Sequence, residues 1–119
     1  MAQHNELGKQ GEKIAQDFLL KNGYQILETN WRFQKAEVDI IALKDEVLIA
    51  IEVKTRTSEH YGKPEIFVNQ KKIRLLVGAI DHYVQENDMD VEVRFDIISI
   101  IKNQYAEKIE HLENAFIWF

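Results

Sequence analysis

Apolar residues recur along this chain at two different spacings, and each change of spacing marks an element. Over residues 5–22, Leu7, Gly11, Ile14, Ala15, Phe18 and Leu19 fall near the period of one helix face, and Gly23 stands where a left-handed residue commonly stops a helix. Residues 24–33 set Ile26, Leu27 and Trp31 among polar neighbours, the pattern of a first strand. Two β-rich runs follow, 38–43 and 47–54, parted by Lys44, Asp45 and Glu46, and together they predict a hairpin. A loop over 55–65 holds the one proline, Pro64, and leads to a second helix over 69–87 with Ile73, Leu76, Val77, Ile80 and Val84 on its apolar stripe. Residues 92–102, where Val93, Phe95 and Ile97 alternate ahead of an isoleucine-rich end, predict a fourth strand, and 109–119 a fifth. The order is αβββαββ. Both faces of the central runs are apolar near the hairpin turn, so the reading is an α/β fold with helices flanking a mixed sheet.

Composition narrows the class of protein without changing that outline. With 119 residues, 45% hydrophobic and 29% charged, the chain suffices for one compact domain and is short for two, so residues 1–119 are read as a single domain. No repeat, low-complexity tract or linker-like run interrupts it. The absence of cysteine excludes disulfides and thiolate metal sites, and the four histidines, His4, His60, His82 and His111, share no zinc-type spacing; a metal would need oxygen ligands. The N-terminus is polar and no apolar run nears the ~20 residues that span a bilayer, which predicts a soluble, cytoplasmic chain with no membrane partner.

Charge bears on the choice of partner. A formal net charge of −5 runs against nucleic acid, since phosphate binding draws on clustered Lys and Arg. The distribution weakens that objection: Lys54, Arg56, Lys63, Lys71, Lys72 and Arg74 face only Glu59 and Glu65, whereas residues 75–119 carry nine acids against three bases. The basic stretch reads equally well as solvated loop and helix surface.

Candidate chemistry lies on the hairpin. A two-residue loop at Asp45 and Glu46 sets Asp39 opposite Glu52 and Glu37 opposite Lys54, with Glu37, Asp39, Glu52, Lys54 and Arg56 on one side of the sheet. A loop one residue longer would send Asp39 and Glu52 to opposite faces. Cross-strand carboxylates about 5 Å apart repel by about 3 kcal/mol at an effective dielectric near 20, so the pair requires compensation. A hard divalent cation such as Mg²⁺ supplies it directly and keeps several waters, while Lys54 beside it would steady an attacking water or developing phosphorane charge. A cross-strand ladder of ion pairs, with Lys54 and Arg56 neutralising the acids and no metal, fits the same spacing.

These residues occur in a wider pattern: Gly11-Glu12 with Ala15, Asn30 and Arg32, Glu37-Val38-Asp39 with Ile41-Ala42, Glu52-Val53-Lys54-Thr55-Arg56, Tyr61-Gly62, Lys71, and Arg94-Phe95-Asp96. Over nearly its whole length the chain resembles the YraN-like proteins, a largely uncharacterised bacterial group related to Holliday-junction resolvases within the PD-(D/E)XK nuclease superfamily. The resemblance implies a restriction-endonuclease-like αβββαβ core, Asp39 and Glu52 as ligands of Mg²⁺ or Mn²⁺, Lys54 as the catalytic lysine, and Glu12 reaching the metal from the first helix directly or through water. Val38 replaces the proline that names the superfamily and Ala36 the glycine common in the group; neither change removes a ligand or proton-transfer group.

The second helix opens with Gln70, Lys71, Lys72 and Arg74, which with Arg32 and Arg56 form the candidate phosphate contacts; a solvated basic turn is the competing reading. Arg94 and Asp96 share a strand face and read first as a structural ion pair, second as substrate contacts. Trp31, Phe33 and Tyr61 read as packing residues before base-stacking ones, and His60 is the one histidine near the site. The leading expectation is a metal-dependent endonuclease acting on DNA, structured or branched, as a homodimer if it cuts two strands symmetrically. A nucleic-acid-binding module with little or no cleavage is the alternative, and a protein-interaction domain, suggested by the overall acidity, the third.

Overall fold

The computed structural model describes residues 6–58 and 69–115. Outside them lie the residue-5 start of the first helix, His4, most of the expected loop with Glu59, His60, Tyr61, Gly62, Lys63 and Pro64, and the 116–119 end of the expected fifth strand. The elements run α1 (Glu6–Lys21), β1 (Gln25–Phe33), β2 (Ala36–Lys44), β3 (Val47–Arg56), α2 (Gln70–Glu86), β4 (Glu92–Lys102) and β5 (Glu107–Leu112). This is a mixed α/β fold, two helices on a five-stranded sheet in the order β1-β2-β3-β4-β5, compatible with a restriction-endonuclease-like core. Every neighbouring pair is antiparallel except β3 and β4, which run parallel because the chain crosses between them through α2.

Each helix covers one face of the sheet. Ala15 and Leu19 of α1 pack on Ile40, Ala42, Ile49, Ile51, Ile98 and Ile100, while Leu76, Ile80 and Tyr83 of α2 pack on Ile41, Leu48, Ala50 and Phe95. Residues of β4 from Phe95 to Ile101 are all buried, the unbroken run expected of a strand enclosed on both faces. Past the end of α1, Gly23 has a φ of 86° and turns the chain so that the Tyr24 N–H reaches back to the Leu19 carbonyl. At the other end of α1, Gly11 permits a close approach: a Cβ there would sit 1.8 Å from Thr55 Oγ1 of β3. Helix α2 is capped by Asn69, whose side-chain oxygen accepts the Lys72 N–H at 2.9 Å.

The hairpin loop has two residues, since Lys44 pairs with Val47, and Asp45 and Glu46 both take positive φ, 51° and 64°. That is the turn whose twist matches antiparallel strands. The fifth strand departs from expectation. It starts at Glu107 and ends at Leu112, before a turn in which Asn114 has a φ of 53°. The Asn114 N–H then bonds to the side chain of Asp96, so a tertiary contact ends the strand where local pattern would continue it. Among the described residues, no helix is long and apolar enough to cross a membrane.

Candidate active site

Strands β2 and β3 part company at the end remote from their turn. Their pairing stops at Ile40↔Ile51, one pair short of Asp39 and Glu52. Beyond that point β2 stays with β1, through Trp31↔Val38, Arg32↔Glu37 and Phe33↔Ala36, while β3 continues along β4 as far as Arg56↔Ile101. A wedge opens between them. Asp39 sits in it, with Oδ2 accepting the Val53 N–H at 2.8 Å and so satisfying a backbone donor that an unbroken ladder would have served.

The expected cross-strand pairs are corrected accordingly. Asp39 and Glu52 are neighbours across a gap in the sheet instead of ladder partners, and Glu37 is set against Arg32 of β1, 3.5 Å away, instead of Lys54. The gap is a cleft of about 310 Å³ with Arg32, Lys35 and Lys72 among three acids, Glu37, Asp39 and Glu52. Leu75 and Leu76 of α2 form its apolar wall.

Electrostatics single out Asp39. Burial first, then the Glu52 charge, push its carboxyl up to about 7, and Glu12 adds to the rise, while the Val53 N–H and the Lys72 ammonium oppose it. An acid from α1 and one from β3 therefore act on one in β2. Glu12 stands beside Gly11, which packs closely on Thr55 of β3, and its Oε1 accepts a hydrogen bond from Asn30 Nδ2 at 3.2 Å. Among the described residues, no group of three or more His, Cys, Asp or Glu side chains forms a ready-made metal site. Two carboxylates on a water-accessible cleft suit Mg²⁺, which takes one or two such ligands and retains waters, better than a cage-bound metal.

The ammonium on Glu52 comes from Lys72. Its Nζ donates to Glu52 Oε2, tying the start of α2 to β3. Lys54 lies two residues past Glu52 on β3, half-buried, opposite Ser99 of β4, and is not among the residues lining the cleft. The signal for Lys72 was present in the helix pattern: it stands one turn before Leu76, so it extends the face that α2 turns to the sheet.

The other candidates are dispersed. Gln70, Lys71 and Arg74 are exposed along the first turns of α2, and Arg32 is exposed at the cleft. Arg56 is 8% exposed and donates from Nη2 to Ser99 Oγ at 3.4 Å, which sets it against β4 at the end of the central strand β3. Trp31 and Phe33 lie in an aromatic group with Tyr83 and His82 of α2, Phe33 and His82 stacking at 4.1 Å.

Arg94 and Asp96 form the anticipated ion pair, with more partners than sequence indicated. Asp96 is fully buried; Arg94 donates to both its oxygens at 2.9 Å, the Asn114 N–H to Oδ1 at 2.9 Å, and His111 Nε2 lies 2.7 Å from Oδ2. Although burial works to raise it, the hydrogen bonds from His111, Arg94 and Asn114 hold this carboxyl below its ordinary value. His111 was missed because nothing in its spacing links it to Asp96; register alone brings β5 alongside β4 there.

Comparison with known proteins covers the stretch of chain that carries this cleft. The sequence model described as "Uncharacterised protein family UPF0102" matches residues 11–100, a stretch containing Glu12, Asp39, Glu52, Lys54 and Lys72. UPF0102 proteins of Christiangramia forsetii and Flavobacterium psychrophilum are 57% and 56% identical, each over the full length of both chains. A UPF0102 protein of Parabacteroides distasonis is 46% identical, over 98% of this chain and 96% of its own. With a match across both helices and four strands, and relatives aligned from end to end, the chain belongs to the UPF0102 family.

Proposed function

We propose that this protein is a metal-dependent endonuclease that hydrolyses DNA phosphodiester bonds, with structured or branched DNA as its substrate. The observation that carries this reading is the pair Asp39 and Glu52 in a cleft between diverging strands, with burial and the Glu52 charge holding Asp39 up to about 7. Carboxylates so arranged are unfavourable alone and become favourable around a cation, and perturbed acids in a cleft are a recurrent mark of function. Asp39 and Glu52 would hold Mg²⁺ or Mn²⁺, with Glu12 reaching it directly or through water. Such an ion would supply Lewis acidity toward the phosphate and a more acidic bound water.

The remaining residues have roles of their own. Lys54, next along the strand from Glu52 on the same face, would steady developing charge on the phosphate. Arg32, Gln70, Lys71, Lys72 and Arg74 would meet the nucleic-acid backbone around the cleft mouth, with Arg56 behind them. Two-fold junction cutting would call for a homodimer. A nucleic-acid-binding module without cleavage is the second reading; the hold of Lys72 on Glu52 and the lack of a preformed three-ligand group among the described residues favour it.

Cleavage of linear, nicked and branched DNA with Mg²⁺ or Mn²⁺ tests the proposal, with wild type beside Asp39→Ala and Glu52→Ala. Wild type should cut, and each substitution should lower the rate by about 10²–10³-fold or more. Equal cutting by all three proteins sinks it. Binding without cutting, weakening steeply as salt rises, selects the second reading.

A further inference from the structure

We infer that Lys72 is an exchangeable counter-ion: its ammonium holds Glu52 where a divalent cation would bind, and passes to a substrate phosphate when the cation arrives, so that cation and nucleic-acid backbone bind cooperatively. This rests on the metal-site reading above and adds a coupling that the reading does not require.

Three observations carry it. The Lys72 ammonium is on the Glu52 carboxylate, whose side chain is only 16% exposed, so a cation coming to Glu52 must displace that ammonium or share its ligand with it. Lys72 also lines the same cleft as Asp39 and Glu52, so one ammonium stands by both proposed ligands, as a bound cation would. Finally, Lys72 can leave without disturbing the fold. Its backbone N–H is anchored to the Asn69 cap, its side chain is 39% exposed, and a four-carbon stem gives the head a wide arc.

Its destination lies within the same cleft. Arg32, set against Glu37, and Lys35 line it too, so an anion entering there meets two cations and gains a third once Lys72 swings out. The cation evicts the ammonium by like-charge repulsion, and the phosphate takes it up. Linkage then demands reciprocity: whatever factor the cation adds to phosphate affinity, phosphate adds to cation affinity. A Lys72 that merely braced α2 against β3 would add nothing to the coupling that the cation's own contact with the phosphate gives.

The test is a titration of the full chain with Mn²⁺, following free aqueous Mn²⁺ by electron paramagnetic resonance, for wild type, Lys72→Met, Lys72→Gln and Asp39→Ala. The probe for the second ligand is a cleavage-resistant phosphorothioate oligonucleotide. Without it, both Lys72 variants should bind Mn²⁺ about tenfold more tightly than wild type, a tenfold change being about 1.4 kcal/mol. With it, wild-type affinity should tighten by about five- to tenfold more than that of the variants, which keep only the coupling through the cation's own contact with phosphate. The two effects must appear together; unchanged or weaker Mn²⁺ binding by the variants, or an equal response to the oligonucleotide, overturns the exchange while leaving the metal site standing. No Mn²⁺ binding by wild type, or binding unaffected by Asp39→Ala, overturns the metal-site reading itself and this inference with it.

Discussion

Asp39 and Asp96 are both sheet aspartates withdrawn from water, and they meet that withdrawal in opposite ways. Around Asp96 the fold has assembled a guanidinium, an imidazole and a backbone N–H, enough to hold its carboxyl below the ordinary value. Around Asp39 it has placed one backbone N–H, one shared ammonium and two further carboxylates, and the carboxyl rises to about 7. The same residue type is finished in one place and unfinished in the other. A buried acid whose partners are complete explains itself through stability, as the tie that brings β5 and Asn114 onto β4. One left short of positive charge does not, and the shortfall is what a cation would make good.

Substitution at the two aspartates offers the sharpest break of this comparison. Asp96→Asn should destabilise the protein by about 3–5 kcal/mol at neutral pH in chemical denaturation, because it leaves the Arg94 charge without its buried partner. Since the folded-state pKa of Asp96 lies below its ordinary 3.8, its contribution is complete above that value and is lost as the pH falls through the folded-state one, so the difference from wild type should close in acid. A loss that persists in acid would mean that packing, not charge, is what Asp96 provides.

Gly11→Ala addresses the helix that carries Glu12. The added methyl would meet Thr55 of β3, and overpacking at such a contact typically costs about 1–3 kcal/mol. Thermal unfolding reads the cost; a neutral result would show that α1 can retreat and that the approach of Glu12 is loose.

Asp39→Asn should have the opposite sign to Asp96→Asn. The folded chain holds its Asp39 proton up to about 7 where the unfolded chain releases it near 3.8, so wild-type stability falls as the pH rises through that window. The amide escapes this penalty and should be more stable than wild type by about 1–2 kcal/mol at pH 8, with no gain below pH 4. If both asparagine variants destabilise alike at pH 8, the contrast between the two acids is lost. The smallest effect expected is that of Asn69→Ala, about 1 kcal/mol from removal of the α2 cap, seen in thermal unfolding and accompanied by a looser Lys72.

Much of this architecture could be read from residue order. The α1 stripe, the Gly23 stop, the hairpin from β2 to β3 and the bounds of β4 all come from neighbours within a few positions, where period and turn chemistry act directly. The acids Asp39 and Glu52 were visible for the same reason, since alternation sets them on one side of the hairpin. The error at β5 arose where that locality fails: nothing after Leu112 in sequence announces that Asn114 will be turned aside by a carboxylate from β4.

The alternation and turns of the chain thus determined that two carboxylates would lie near each other on a central hairpin between two helices. Only the assembled sheet decided how they meet. Pairing with β1 on one side and β4 on the other draws β2 and β3 apart just before Asp39 and Glu52, turning a ladder position into a cleft. Packing of α2 then delivers Lys72 to Glu52, and register brings His111 to Asp96, from far along the chain. Local preferences act over a few residues, whereas the compensation of a buried charge depends on every element that reaches it, and that is settled when the layers close.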